Sequence, residues 1–210
     1  MQVYDRIRVE MDKGNYGPGS YIRLNELAAQ LNMSKTPLRE AMIRLEAEGF
    51  VTIYPRRGVV VNRFDLNDTR YLFGAIGSLE SDMVTANFHR FDDEIVAHMR
   101  GCCRVMRTAL EEDDMTTYDR RHWDFHRVFT DLADTVFVDR IINPIKHRLW
   151  DFPKRGFSRQ WLIMACDEHE AIVDAIEAKD LEACVRIIRE AHWSFDYNEK
   201  FIRKVYFPEV

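Results

Sequence analysis

Between residues 20 and 61 the apolar positions change their period twice. Asn25-Glu26-Leu27-Ala28-Ala29-Gln30-Leu31 carries its apolar side chains on one face, as an amphipathic helix does. Asn32-Met33-Ser34 breaks the pattern, and the stretch from Lys35 to Leu45 restarts it. Ser34 is suited to cap this second helix, Pro37 lies in its first turn where a missing N–H is tolerated, and Gly49 ends it. Phe50-Val51-Thr52-Ile53 and Val59-Val60-Val61 then flank Tyr54-Pro55-Arg56-Arg57-Gly58 as two short strands around a basic tip. The pattern predicts a helix-turn-helix followed by a β-ribbon wing. That arrangement lets a small domain reach the major groove of DNA and the adjacent backbone.

From Val61 to Asp68 the pattern lapses into a linker, with Asn67 or Asp68 placed to cap the next helix. Beyond it the period is helical almost throughout. Helices are expected at about 68–88, 92–112, 115–133, 136–150, 157–178 and 180–203, with Pro144 and Pro153 kinking or ending the fourth. The predicted fold is therefore mainly α. A winged helix-turn-helix occupies residues 1–65, and an all-α helical bundle for ligand binding and dimerisation occupies residues 66–210.

Charge divides along the same boundary. The net charge of −5 looks wrong for a DNA reader, but residues 1–65 hold 10 Lys/Arg against 8 Asp/Glu, and residues 66–210 hold 20 against 27. A mildly positive small domain on an acidic body implies a few placed phosphate contacts, doubled by dimerisation, rather than a broad electrostatic surface. Lys35, Arg39 and Arg44 on the second helix and Arg56 and Arg57 on the wing are the cations positioned for DNA. With 46% apolar and 31% charged residues the chain can bury a core and keep a solvated surface. No apolar run approaches the roughly 20 residues of a membrane span, and the N-terminus shows no signal-peptide pattern, so a cytoplasmic protein is expected. Cys102, Cys103, Cys166 and Cys184 lack metal spacing and read as buried, reduced thiols.

All seven histidines follow residue 88. His122 and His126 lie at i and i+4 and so share one helix face; His169 and His192 fall on two further helices. Two ligands from one helical turn and one from each of two other helices can build a metal site inside a bundle, although such a pair is also common as solvated or hydrogen-bonded histidines. Trp123, Trp150, Trp161 and Trp193 read as packing residues.

Three stretches carry a family resemblance: Ile22-Arg23-Leu24-Asn25-Glu26-Leu27-Ala28, Met33-Ser34-Lys35-Thr36-Pro37-Leu38-Arg39-Glu40-Ala41 and Arg44-Leu45-Glu46-Ala47-Glu48-Gly49. Together they resemble the N-terminal domain of GntR-type bacterial transcription regulators. The resemblance implies that Ser34, Lys35, Thr36, Arg39 and Gly58 touch DNA. Lys35 stands where the family usually has Arg, and lysine lacks the rigid bidentate fork that reads guanine.

Further on, Phe125-His126-Arg127, Glu168-His169-Glu170-Ala171-Ile172-Val173-Asp174-Ala175-Ile176 and Arg189-Glu190-Ala191-His192 resemble the FCD-type effector domain of the FadR branch. Many members hold a divalent metal there with an Asp and three His. The resemblance places His126, His169 and His192 at the three histidine positions and His122 at the Asp position. Four neutral imidazoles favour Zn or Ni over a hard, oxygen-preferring ion, and leave the ion's charge to attract an anionic effector. Ile76 stands where family members carry an Arg that helps hold a carboxylate, and Arg148 is a candidate substitute.

The implied function is a transcription regulator, acting as a repressor, and not an enzyme. A homodimer would bind a palindromic double-stranded operator, with affinity set by a small anionic effector in a metal-containing bundle and with no membrane partner. The alternatives are a zinc-dependent enzyme using the histidine cluster, or a regulator whose effector site has decayed and holds no metal.

Overall fold

The computed structural model describes residues 3–13, 15–150 and 158–207 of the chain. The chain divides into two compact units: Met1–Asp68 with Asn143–Lys154, and Thr69–Ile142 with Arg155–Val210. Residues 143–150 thus group with the N-terminal unit.

The first unit contains α1 (Val3–Asp12), β1 (Tyr21–Ile22), α2 (Leu24–Leu31), α3 (Lys35–Ala47), β2 (Val51–Tyr54) and β3 (Gly58–Val61). Helix α2 ends where Asn32 adopts a left-handed conformation, φ 50°, which makes the tight turn into α3. Helix α3 stops at Gly49 (φ 76°), with Phe50 N–H donating to the Leu45 carbonyl at 2.9 Å. That 6→1 bond is how a glycine-ended helix satisfies its last carbonyls. The ribbon has the predicted strands, but β1 adds a third, giving an antiparallel sheet of order β1-β3-β2. Ile22 pairs with Val59 and Thr52 with Val60. Neither α1 nor β1 was foreseen. Tyr4, Ile7 and Met11 of α1 join Leu27, Leu38, Met42, Leu45, Phe50 and Val59 in a single buried core.

Beyond the wing, α4 (Leu66–Asn87), α5 (Asp93–Glu111), α6 (Met115–Ala133) and α8 (Arg159–Glu177) fall within about two residues of expectation, and α7 (Val136–Trp150), divided between the two units at Ile142, falls on it. Helix α4 is opened by Asp65 rather than by Asn67 or Asp68. Asp68 N–H donates to Asp65 at 2.8 Å and Asp65 N–H donates back to Asp68 at 3.0 Å, a reciprocal capping box. Asp92, Asp114 and Ser158 cap α5, α6 and α8 through their side chains, and Asp180 and Ser194 do the same for the helices that begin at Leu181 and Phe195. Pro144 lies inside α7, which continues to Trp150, so it does not end the helix. Pro153 and Lys154 lie outside the described residues, as does the side chain of Trp150.

The single helix expected over 180–203 is three pieces: α9 (Leu181–Ile187), a π-helical turn at Ile188–His192, and α10 (Phe195–Tyr206). Trp193 N–H reaches back five residues to the Ile188 carbonyl at 2.9 Å. The widened turn is held by buried Asn198, whose amide donates to the carbonyls of Ala191 (2.8 Å), His192 (3.3 Å) and Ser194 (3.0 Å). Asn198 in turn accepts from the Trp161 indole at 2.8 Å. Helix α5 packs on both α6 and α8. Across the α5–α8 face Arg107 meets Asp167 and Glu170, and Arg100 meets Asp174 and Glu177. Among the described residues no helix is long and apolar enough to cross a membrane.

Candidate metal centre and DNA-reading surface

The second unit brings together the four histidines singled out by sequence. One ligand atom from each of His122, His126, His169 and His192 lies within 4.8 Å of the others. Helix α6 supplies the first two, α8 the third and the π-turn the fourth. A π-turn inserts one residue into the helical register, a feature common where a side chain must be re-aimed at a site. His126 and His169 are fully buried and His192 nearly so, while His122 is partly exposed and lies beside Tyr118, ring centroids 5.9 Å apart.

Hydrogen bonds set the direction of two imidazoles. His126 Nδ1 is 3.0 Å from the Glu80 carboxylate, and His192 Nδ1 is 2.8 Å from that of Glu168. A nitrogen facing a carboxylate carries the hydrogen, so Nε2 of each ring carries the lone pair. Those two Nε2 atoms are 3.2 Å apart, and His169 Nε2 is 3.1 Å from that of His126. Two lone pairs facing at that distance repel unless a proton or a metal ion lies between them. Nitrogen ligands at about 2.1 Å from one ion stand about 3.0 Å apart at right angles and about 3.4 Å apart in a tetrahedron, which brackets the two spacings at His126, within a group of four atoms spread over no more than 4.8 Å. The residues present thus fit a divalent metal.

His169 also has a buried Nδ1 with no hydrogen-bond partner among the described residues. Burial, and then the neighbouring His192, His126 and His122, hold its pKa well below the usual imidazole range, so it stays neutral and able to ligate. Phe125, whose ring centroid is 4.4 Å from that of His169, forms part of the apolar wall.

Three supporting residues escaped the sequence reading. Glu80 and Glu168 are buried carboxylates behind the ligands. Trp193 is not only a packing residue, because its indole N–H donates to Glu80 at 2.7 Å. The sequence pattern places no carboxylate at the four histidines, and the structure puts these two acids directly behind them. Glu168 offered one signal, its place directly before His169; Glu80, on another helix, offered none. Ile76, one turn before Glu80, is fully buried and leaves no cation at the position where the family's Arg was sought. Arg148 belongs to the first unit: its guanidinium lies 5.2 Å from the Phe50 ring centroid and 5.0 Å from that of Phe64, and Nη2 is 3.4 Å from the Arg63 carbonyl.

In the first unit Lys35, Thr36 and Arg39 are exposed on α3. Ser34 stands at the N-cap in extended conformation, but its side chain makes no capping bond. Arg56 and Arg57 are exposed at the wing turn, where Arg57 N–H donates to the Tyr54 carbonyl at 3.0 Å. Gly58 follows at φ 120°, a conformation that only glycine adopts without strain. A groove of about 900 Å³ between α3 and the wing is lined by Tyr21, Arg23, Arg39, Ile43, Tyr54 and Arg56, among others. Arg23, Ile43 and the two tyrosines were not anticipated there. Arg44, also exposed on α3, pairs with Glu48 at 3.1 Å and its guanidinium lies 3.9 Å from the Tyr4 ring centroid.

A winged helix-turn-helix with a cationic reading helix, joined in one chain to a helical bundle, defines a transcription regulator. Residues 1–61 match the bacterial regulatory proteins of the gntR family and residues 72–192 match the FCD domain, and the chain belongs to this family of GntR regulators with an FCD domain. It is 29% identical over 184 residues to a probable D-xylose utilization operon transcriptional repressor of Paenarthrobacter nicotinovorans, covering 86% of this chain and 80% of that protein. It is 22% identical over 200 residues to the HTH-type transcriptional repressor GlaR of Escherichia coli, covering 89% of each. The solved structure of E. coli McbR/YncC shares the fold, with a TM-score of 0.73 at 19% identity over 97% of this chain and 96% of that one. Proteins of this family are regulators and not enzymes, which removes the zinc-enzyme alternative.

Proposed function

We propose that this chain is a cytoplasmic repressor of the FadR branch that binds a palindromic operator as a homodimer and responds to a small effector held at a metal in its helical bundle. The observation that carries the metal reading is the approach of Nε2 of His126 and His192 to 3.2 Å, with their Nδ1 atoms facing carboxylates. His122, His126, His169 and His192 would hold the ion. An all-nitrogen set favours Zn or Ni over Mg, Ca or Mn. When bound, the metal would supply a Lewis-acid position for an effector oxygen donor, and His122 is the one partly exposed member of the four histidines.

Operator reading is assigned to Ser34, Lys35, Thr36 and Arg39 at the start of α3, and to Arg56, Arg57 and Gly58 at the wing. This is supported by the exposure of the charged members and by the open groove between them. Arg44 buttresses α3 through Tyr4 and Glu48. The anion-clamping role considered for Arg148 gains no support from its contacts with Phe50, Phe64 and Arg63.

The test is elemental analysis of the purified, tag-free protein beside His169→Ala, with operator binding measured on sites selected from random DNA. About one Zn or Ni per chain is expected, lost in the variant, with operator binding retained in both. A protein that takes up no divalent metal even after incubation with Zn²⁺ and Ni²⁺ would leave the decayed-site alternative standing.

A further inference from the structure

Two buried anions stand behind the four imidazoles. Glu80 from α4 and Glu168 from α8 are 0% and 8% exposed, and each accepts from the back of a different histidine, His126 at 3.0 Å and His192 at 2.8 Å. Glu80 also accepts from the Trp193 indole at 2.7 Å.

Buried carboxylates beside neutral imidazoles are unfavourable unless positive charge lies close by. Two such carboxylates give the pocket a formal charge of −2, and a divalent ion among the histidines brings it to zero. A carboxylate on Nδ1–H also fixes the tautomer, orients the ring and strengthens Nε2 as a donor. None of the four candidate ligands is itself anionic. The charge that a coordinating carboxylate would contribute therefore sits one hydrogen bond further out.

We propose that Glu80 and Glu168 are the outer-sphere anions of the metal centre, positioning His126 and His192 and neutralising the ion in place of a coordinating carboxylate. This rests on the metal reading above. Its consequence is a centre whose charge is balanced while its inner ligands stay purely nitrogen, so that affinity is gained without admitting oxygen-preferring ions.

The experiment measures the Zn²⁺ dissociation constant of the full chain by competition with a chromophoric chelator, for the wild type, Glu80→Gln and Glu168→Gln. Glutamine keeps the shape and an oxygen able to accept from Nδ1–H, and removes only the charge. Each variant is expected to bind Zn²⁺ about 10- to 100-fold more weakly, while the melting temperature of the metal-free protein is unchanged or raised. A purely structural role would lower that temperature instead. Adding His122→Glu, whose carboxylate has about the reach of the imidazole it replaces, is expected to restore most of the lost affinity and to improve Mn²⁺ binding. Should Glu80→Gln fail to fold because of Trp193, Glu168→Gln carries the test alone. Gln variants that bind Zn²⁺ as tightly as the wild type would overturn this inference and leave the metal reading intact. A wild type that binds no Zn²⁺ would overturn both.

Discussion

A methyl group added at Gly77 would lie 2.8 Å from Cβ of Trp193, closer than real side chains approach. The obstructing atom is bonded directly to the backbone just past the π-turn, so it cannot swing aside. Helix α4 and that turn would have to separate. Overpacking of this kind costs about 1–3 kcal/mol, and alanine recovers about 1 kcal/mol of helix propensity relative to glycine. The net expectation for Gly77→Ala is a loss of about 1 kcal/mol, or roughly 2–4 °C in melting temperature for a protein of this size. Gly74, on the same helix, is the internal control: it is exposed and nothing lies within 4 Å of a Cβ built there. Gly74→Ala should therefore gain up to about 1 kcal/mol. Urea unfolding followed by circular dichroism compares the three proteins, and a chelator competition reports Zn²⁺ affinity. Gly77→Ala should also weaken Zn²⁺ binding, because moving Trp193 disturbs the Glu80 carboxylate that holds His126. If both alanines raised the unfolding midpoint alike, the close approach of α4 to the π-turn would be refuted.

Arg39→Ala should abolish operator-specific binding in an anisotropy titration while leaving the circular dichroism spectrum unchanged. Arg44→Ala should instead cost about 1 kcal/mol of stability through the lost Tyr4 stacking, with a smaller effect on DNA affinity; the reverse order would misplace the reading surface. All four thiols are buried, and burial pushes Cys103 and Cys184 up to about 12 and Cys166 to about 11. The folded protein should therefore be inert to a thiol reagent at pH 8, with all four groups titrating in denaturant; rapid labelling of the folded state would contradict this burial. The depressed pKa of His169 means that the unfolded chain takes up a proton near pH 6.5 and the folded one does not. Metal-free protein should keep this contribution above that pH and lose it as pH falls through it, with a shallower fall in His169→Gln. Equal slopes in urea midpoints from pH 8 to 5 would defeat the assignment.

What the chain disclosed follows from where its information is local. The helix-turn-helix was legible because Leu27, Leu38, Met42 and Leu45 repeat at helical spacing and because the turn and stop at Asn32 and Gly49 use residues that accept left-handed backbone. Helix α1 was legible in principle: Tyr4, Ile7 and Met11 are spaced i, i+3 and i+7. Strand β1, with only two residues, depends on β3 for its existence, and nothing in Tyr21-Ile22 alone distinguishes it from a loop.

The candidate metal centre divides in the same way. The i, i+4 pair His122 and His126 was visible because a single helix sets its geometry, and His169 and His192 became visible through resemblance. The outer residues were hidden because partners on other helices decide their roles. Asp167-Glu168-His169-Glu170 looks like a uniformly solvated run, yet Arg107 of α5 draws Asp167 and Glu170 to one face and leaves Glu168 and His169 inward. The break in the last predicted helix has a similar origin. Apolar spacing continues through Ile188, Trp193, Phe201 and Ile202, so periodicity indicates one helix. What opens the π-turn is a set of carbonyls captured by Asn198, itself held by Trp161 from α8. The same turn aims His192 at the other histidines and places the Trp193 indole on Glu80. The irregular backbone and the functional geometry therefore have one cause, a buried polar network that joins α8 to α10 and forms only once the helices have packed.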